Sequence, residues 1–144
     1  ILFRSNGSIQ DGGFYTTYSS NGQVAVANKP ISTAVYRNDW LTGKSTKIGE
    51  GAGYNSVSSD GNAVAIRGGV TEIWDASGNN ESLSCVNALI SSDGTKVVCT
   101  SRDDLANKGL RTDVSQAYLY DRTTKSWTII SLDIEANPGV CNVK

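Results

Sequence analysis

One tetrapeptide recurs along the chain and narrows what the chain can fold into. Ser19-Ser20-Asn21-Gly22 returns as Ser58-Ser59-Asp60-Gly61 and again as Ser91-Ser92-Asp93-Gly94, at separations of 39 and 33 residues. A β-type run precedes each copy, at residues 14–18, 54–57 and 88–90, and another follows, at 24–27, 63–66 and 97–99. Asn-Gly or Asp-Gly between two such runs is a strong hairpin signal. Glycine takes positive φ freely, and Asn or Asp tolerates it. A second marker closes each unit. Residues 35–39, 72–75 and 117–121 read as strands that end at Asp39, Asp75 and Asp121. An Asp there accepts hydrogen bonds from the backbone two residues on and opens a turn. A last strand is expected at 45–48, 81–85 and 126–131.

Four antiparallel strands, repeated every 33 to 39 residues, predict an all-β fold made of β-propeller blades. The units are expected over about 14–49, 54–85 and 87–132. No segment keeps apolar residues at helical spacing over three turns. Three blades fall short of the about 4–8 of a closed ring. The chain is therefore expected to be half of a six-bladed ring, joined through self-association, or a fragment of a larger propeller. Residues 1–4 and 140–144 read as strands of neighbouring blades. A start at Ile1 and the lack of methionine suggest a mature form or a piece of a longer chain.

Composition excludes several function classes. Thirteen basic residues face fourteen acidic ones, with no charge run, so no nucleic-acid partner is expected. No apolar stretch is long enough for a membrane-crossing helix. Histidine is absent, which removes the commonest general base and metal ligand. Neither a G-x-S-x-G elbow nor a P-loop occurs. The expectation is a protein without catalytic activity. Cys85, Cys99 and Cys141 lack a C-x-x-C pair, so zinc is disfavoured. One disulfide with a free thiol, or three reduced buried thiols, both fit.

The third unit carries a family resemblance. Ser92-Asp93-Gly94-Thr95-Lys96-Val97-Val98, the stretch from 101 to 107, and Gln116-Ala117-Tyr118-Leu119-Tyr120-Asp121-Arg122 resemble the TolB-like propeller repeat. The second unit matches through Ser59-Asp60-Gly61 and Ile73-Trp74-Asp75, and the first has Asn21 where the family has Asp. The resemblance implies a propeller that serves as an adaptor, as a gate beside a separate catalytic domain, or as a secreted repeat protein. It implies an extracellular or periplasmic location. Some extracellular members resemble calcium binders with an Asp-rich loop before the third strand, but here Gln116 stands where an Asp would be expected.

Two places stand out as candidate sites. From Gly94 to Asp121 is 27 residues, against 14 from Gly61 to Asp75, so the third unit holds a 13-residue insertion near 101–115. Insertions in repeats fall in loops on one face, often the binding face. Its candidate contacts are Arg102, Asp103, Asp104, Lys108, Arg111 and Asp113. Asp103, Asp104, Asn107 and Asp113 carry the oxygen ligands that calcium prefers, without EF-hand spacing and with basic residues interspersed. Trp40, just after Asp39, is the candidate platform for a sugar ring. The expected function is a non-catalytic binding or scaffold module with a protein or ligand partner. The alternatives are a carbohydrate-binding lectin assembled from copies, or the propeller part of a larger hydrolase.

Overall fold

The computed structural model describes residues 2–5, 8–11, 16–110 and 112–131, the first two stretches as backbone only. All regular structure among the described residues is β. Strand β1 (Leu2–Ser5) pairs antiparallel with β2 (Ser8–Asp11) in a two-stranded hairpin of its own, rather than joining one of the larger sheets. Residues 140–144 lie outside the described residues.

Three four-stranded antiparallel meanders follow. The first holds β3 (Thr17–Tyr18), β4 (Val24–Asn28), β5 (Ala34–Asp39) and β6 (Lys44–Glu50). The second holds β7 (Ser56–Val57), β8 (Ala63–Arg67), β9 (Thr71–Asp75) and β10 (Glu81–Leu83). The third holds β11 (Val86–Ile90), β12 (Lys96–Ser101), β13 (Gln116–Asp121) and β14 (Ser126–Ile129). The opening strands are shorter than their apolar runs suggested in the first two sheets. The closing strand of the second sheet stops at Leu83, and Cys85 just beyond it forms a disulfide with Cys99. Cys141 lies outside the described residues.

The sheets stack face to face, and the sequence of the middle sheet shows why. A strand buried on both faces reads as a continuous apolar run. In β8, Val64 and Ile66 meet Val24, Val26 and Val35 of the first sheet. Ala65, on the opposite face, meets Val97, Cys99 and Tyr120 of the third. Ile73, Leu83 and Cys85 complete that second core. Strand β12 alternates instead: Val97 and Cys99 are buried, whereas Lys96 and Val98 are exposed. Alternation marks a sheet with only one covered face.

Candidate functional site

A meander of four strands puts its links at two ends. The links between first and second strands, and between third and fourth, share one end, here the turn end. The links between second and third strands, and the connectors to the next sheet, share the other, the loop end.

At the turn end the repeated tetrapeptide builds structure. In each copy the first serine hydroxyl donates to the Asn or Asp side chain: Ser19 to Asn21, Ser58 to Asp60 and Ser91 to Asp93, at 2.6–2.8 Å. The same side-chain oxygen accepts the amide two residues on, from Gln23, Asn62 and Thr95. Hydrogen bonds from Ser91 and from Thr95 hold the Asp93 carboxyl down to about 2. Asp39, Asp75 and Asp121 likewise accept amides of the turns they open. Trp40 lies at this end, exposed beside Asp39, with its amide bonded to the Gln23 carbonyl.

The 101–115 insertion lies at the loop end, so Trp40 and the loop candidates do not form one site. The loop is fastened by its own residues. Asp104 accepts backbone N–H bonds from Lys108, Gly109 and Leu110 at 2.7–3.2 Å. The Lys108 amide is the largest of the influences that hold its carboxyl below the usual range, outweighing the opposing cost of burial. Leu110 is buried against Tyr118 and Ile129, with Leu105 and Ala106 beside them, and the Tyr118 hydroxyl donates to the Asp103 carbonyl. Asp104 thus closes a loop. Among the described residues no three acidic or sulfur-bearing side chains gather as a metal site. Lys108, Asn107 and Asp113 are exposed, and Arg111 lies outside the described residues.

Arg102 and Asp103 do converge with other groups. They line a groove of about 420 Å³ between the second and third sheets, with Gly69, Val70, Ser84, Val86, Thr100, Ser101 and Ser115. Val70 and Val86 are both exposed apolar side chains. The Ser101 hydroxyl donates to the Ser84 carbonyl and accepts the Asp103 amide, which fixes the groove floor. A cleft with apolar walls, an adjacent cation and anion, and fixed serines suits a chain of mixed polarity.

No protein-family model matches the sequence, and no curated protein sequence matches it. Solved structures do match. TolB from Acinetobacter baumannii superposes with a TM-score of 0.56 at 16% identity, over 85% of this chain and 33% of that one. The fold is that of part of a TolB-like β-propeller. Porphyromonas gingivalis dipeptidyl peptidase 4 matches with a TM-score of 0.55 at 15% identity, over 84% of this chain and 26% of that one. Oligogalacturonate lyase from Vibrio parahaemolyticus matches with a TM-score of 0.51 at 15% identity, over 90% of this chain and 40% of that one. The chain therefore spans about one-third of the length of the TolB structure it matches.

The three sheets are blades in this TolB-like arrangement, and the groove is an inter-blade cleft. Sequence reasoning missed Val70, Val86, Ser84 and Ser115, because they come from separate units and only the stacking of blades brings them together. It also missed an ion network at the turn end. Arg122 donates to Glu81 at 2.6 Å, to Asp75 at 2.8 Å and to the Gly94 carbonyl at 2.7 Å. The Tyr120 hydroxyl donates to Glu81 at 2.9 Å, and Lys125 pairs with the same carboxylate. Burial, then the Glu81 carboxylate, pushes the Tyr120 hydroxyl up to about 12. Each charged group here is matched to another, so the network joins blades. An Arg following the strand-ending Asp was its one visible signal.

Proposed function

We propose that this chain is a non-catalytic binding or scaffold module of the β-propeller type, and that a protein partner seats in the cleft between the second and third blades. The observation that carries this reading is the cleft itself. Val70 and Val86 offer apolar contact, while Arg102 and Asp103 offer a charge of each sign. An extended peptide carries both kinds of group. The disulfide between Cys85 and Cys99 supports an oxidising location, extracellular or periplasmic.

A peptide array probed with the 144-residue chain tests the reading. Binding to mixed apolar and charged peptides is expected, weakened about tenfold or more by the pair Val86→Glu and Arg102→Glu. Trp40→Ala, at the opposite end, is expected to change nothing. Saturable binding on a glycan array that Trp40→Ala abolishes would overturn the proposal in favour of the lectin reading. A second reading, the propeller part of a larger hydrolase, draws support from the match to dipeptidyl peptidase 4. In that reading the cleft contributes to substrate entry, and peptides that bind it are also substrates of the whole enzyme.

A further inference from the structure

The second strands of the three blades leave their sheets at the loop end with different residues at matching places. Counted from the turn glycines Gly22, Gly61 and Gly94, these are Lys29-Pro30-Ile31, Gly68-Gly69-Val70 and Ser101-Arg102-Asp103. Only the third set holds a cation and a carboxylate side by side. Arg102 is exposed and Asp103 half-buried. Both line the cleft between the second and third blades, and Gly69 and Val70 line it from the second blade. A Cβ on Gly69 would meet nothing within 4 Å, so the second-blade wall stands clear there.

Other charged groups are committed to the fold. Arg37 bonds the Gly61 carbonyl and pairs with Asp39, Arg67 donates to Asn87 at 2.7 Å, and Arg122 holds Asp75 and Glu81. Asp60, Asp93, Asp104 and Asp121 each accept amides of their own turns or loops. Glu50 pairs with Lys47, and Glu72 accepts the Ser82 hydroxyl. Asp103 differs. Its amide donates to Ser101 and its carbonyl accepts Tyr118, both through backbone atoms. Among the described residues no hydrogen bond or ion pair engages the Asp103 carboxylate or the Arg102 guanidinium, and none joins the two. Folding thus leaves two opposite charges in one cleft for a partner to match.

We propose that the partner seated in this cleft is an extended segment in which an acidic and a basic residue flank one apolar residue. The inference rests on the reading of the cleft as a peptide site and adds what that site selects. Alternate side chains of an extended chain point to opposite sides. The outer two face the third-blade wall, where the acid meets Arg102 and the base meets Asp103. The middle one faces Val70 on the second-blade wall. A guanidinium takes a carboxylate through two parallel hydrogen bonds, so the acidic position is the more exacting. A segment with two acids or two bases sets like charges together and loses affinity.

Fluorescence anisotropy on the 144-residue chain, titrated against three series of labelled peptides, tests this. One series is acidic-apolar-basic in both orders, one has two acids and one has two bases. The mixed series is expected to bind about fivefold more tightly than either other, the scale of one ion pair at a rim. Arg102→Glu should move the preference to the series with two bases, and Asp103→Lys to the series with two acids. Gly69→Phe, whose ring enters open space in the cleft, should weaken all three while the thermal transition is kept. Equal binding of the three series by the unaltered chain, or a preference that neither charge reversal moves, overturns the selectivity and leaves the peptide site standing. No binding in any series, or binding that Gly69→Phe does not alter, overturns the peptide site and the selectivity with it.

Discussion

The two internal junctions of this chain use the same backbone scheme and opposite chemistry. Between the first and second blades, five aliphatic side chains, Val24, Val26, Val35, Val64 and Ile66, interlock. Arg37 lies over them, with its guanidinium 5.5 Å from the Trp74 ring and its Nε donating to the Gly61 carbonyl. Between the second and third blades the core is mixed, with Ile73, Leu83 and Val97 beside Ala65, Ala88 and Tyr120, and other devices join in. A disulfide ties Cys85 to Cys99, and Arg122 bridges back to Asp75 and Glu81. An arginine touches a turn-glycine carbonyl at both junctions. Arg37 reaches forward to the next blade, whereas Arg122 holds its own blade's Gly94 and reaches backward. A blade repeat conserves hydrogen-bond geometry because the turns require it. How neighbouring faces adhere is free to differ.

The largest effect should come from shape at the first junction. Gly61→Ala places a methyl 2.5 Å from Val24 and forces a side chain onto a φ of +74°. Overpacking and strain together should cost about 4 kcal/mol. Gly22→Ala, with φ +72° and open space around it, carries only the conformational part, about 1 kcal/mol. Urea titration of both variants measures the gap. Equal losses would mean that the Val24 contact relaxes freely and that the first junction is not held by fit.

This contrast marks what sequence could reveal. The blades were legible because their determinants are local: a turn glycine, a capping Ser and Asp, and strands of set length between them. The turn carboxylates were read as structural, and their hydrogen bonds show that role. The insertion was legible as a length difference. Its anchoring by Leu105 and Leu110 was not, because two leucines in a polar stretch have no period to betray their side. The cleft escaped altogether. Val70 and Val86 are ordinary exposed valines until blade stacking sets them beside Arg102. Trp40 and the insertion were both candidates for contact, and only strand direction shows that they lie at opposite ends.

The second junction should respond next most strongly through its disulfide. Cys85→Ala with Cys99→Ala removes a cross-link across 14 residues. By loop-closure entropy the loss is about 3 kcal/mol. Its melting temperature should fall, and the unaltered protein should fall similarly on reduction, with little change at the first junction by hydrogen exchange. Exchange that accelerates equally in β4 and β12 would show that the junctions open together.

Arg122→Ala is expected to cost less, about 2 kcal/mol, and to leave a distinct signature in acid. Burial alone would push the Glu81 carboxyl up, but hydrogen bonds from Lys125, Arg122 and Tyr120 outweigh it and hold it below its ordinary 4.5. Asp75 behaves alike: burial is outweighed by Ser77 and Arg122, and its carboxyl lies below 3.8. A carboxyl lowered by folding adds stability that is complete above its unfolded value and fades as pH falls through its folded one. Stability should therefore drop as pH falls below those ordinary values. Without Arg122 both carboxyls lose their guanidinium partner, so the variant starts lower near neutrality and falls less steeply in acid. Arg37→Ala removes a partner from Asp39 alone, whose carboxyl is also lowered, and should cost about 1 kcal/mol with a smaller change of slope. Urea midpoints for the three proteins, taken between about pH 6 and about pH 3, test this. Parallel curves would mean that Arg122 contributes packing rather than charge, and the two junctions would then differ in shape alone.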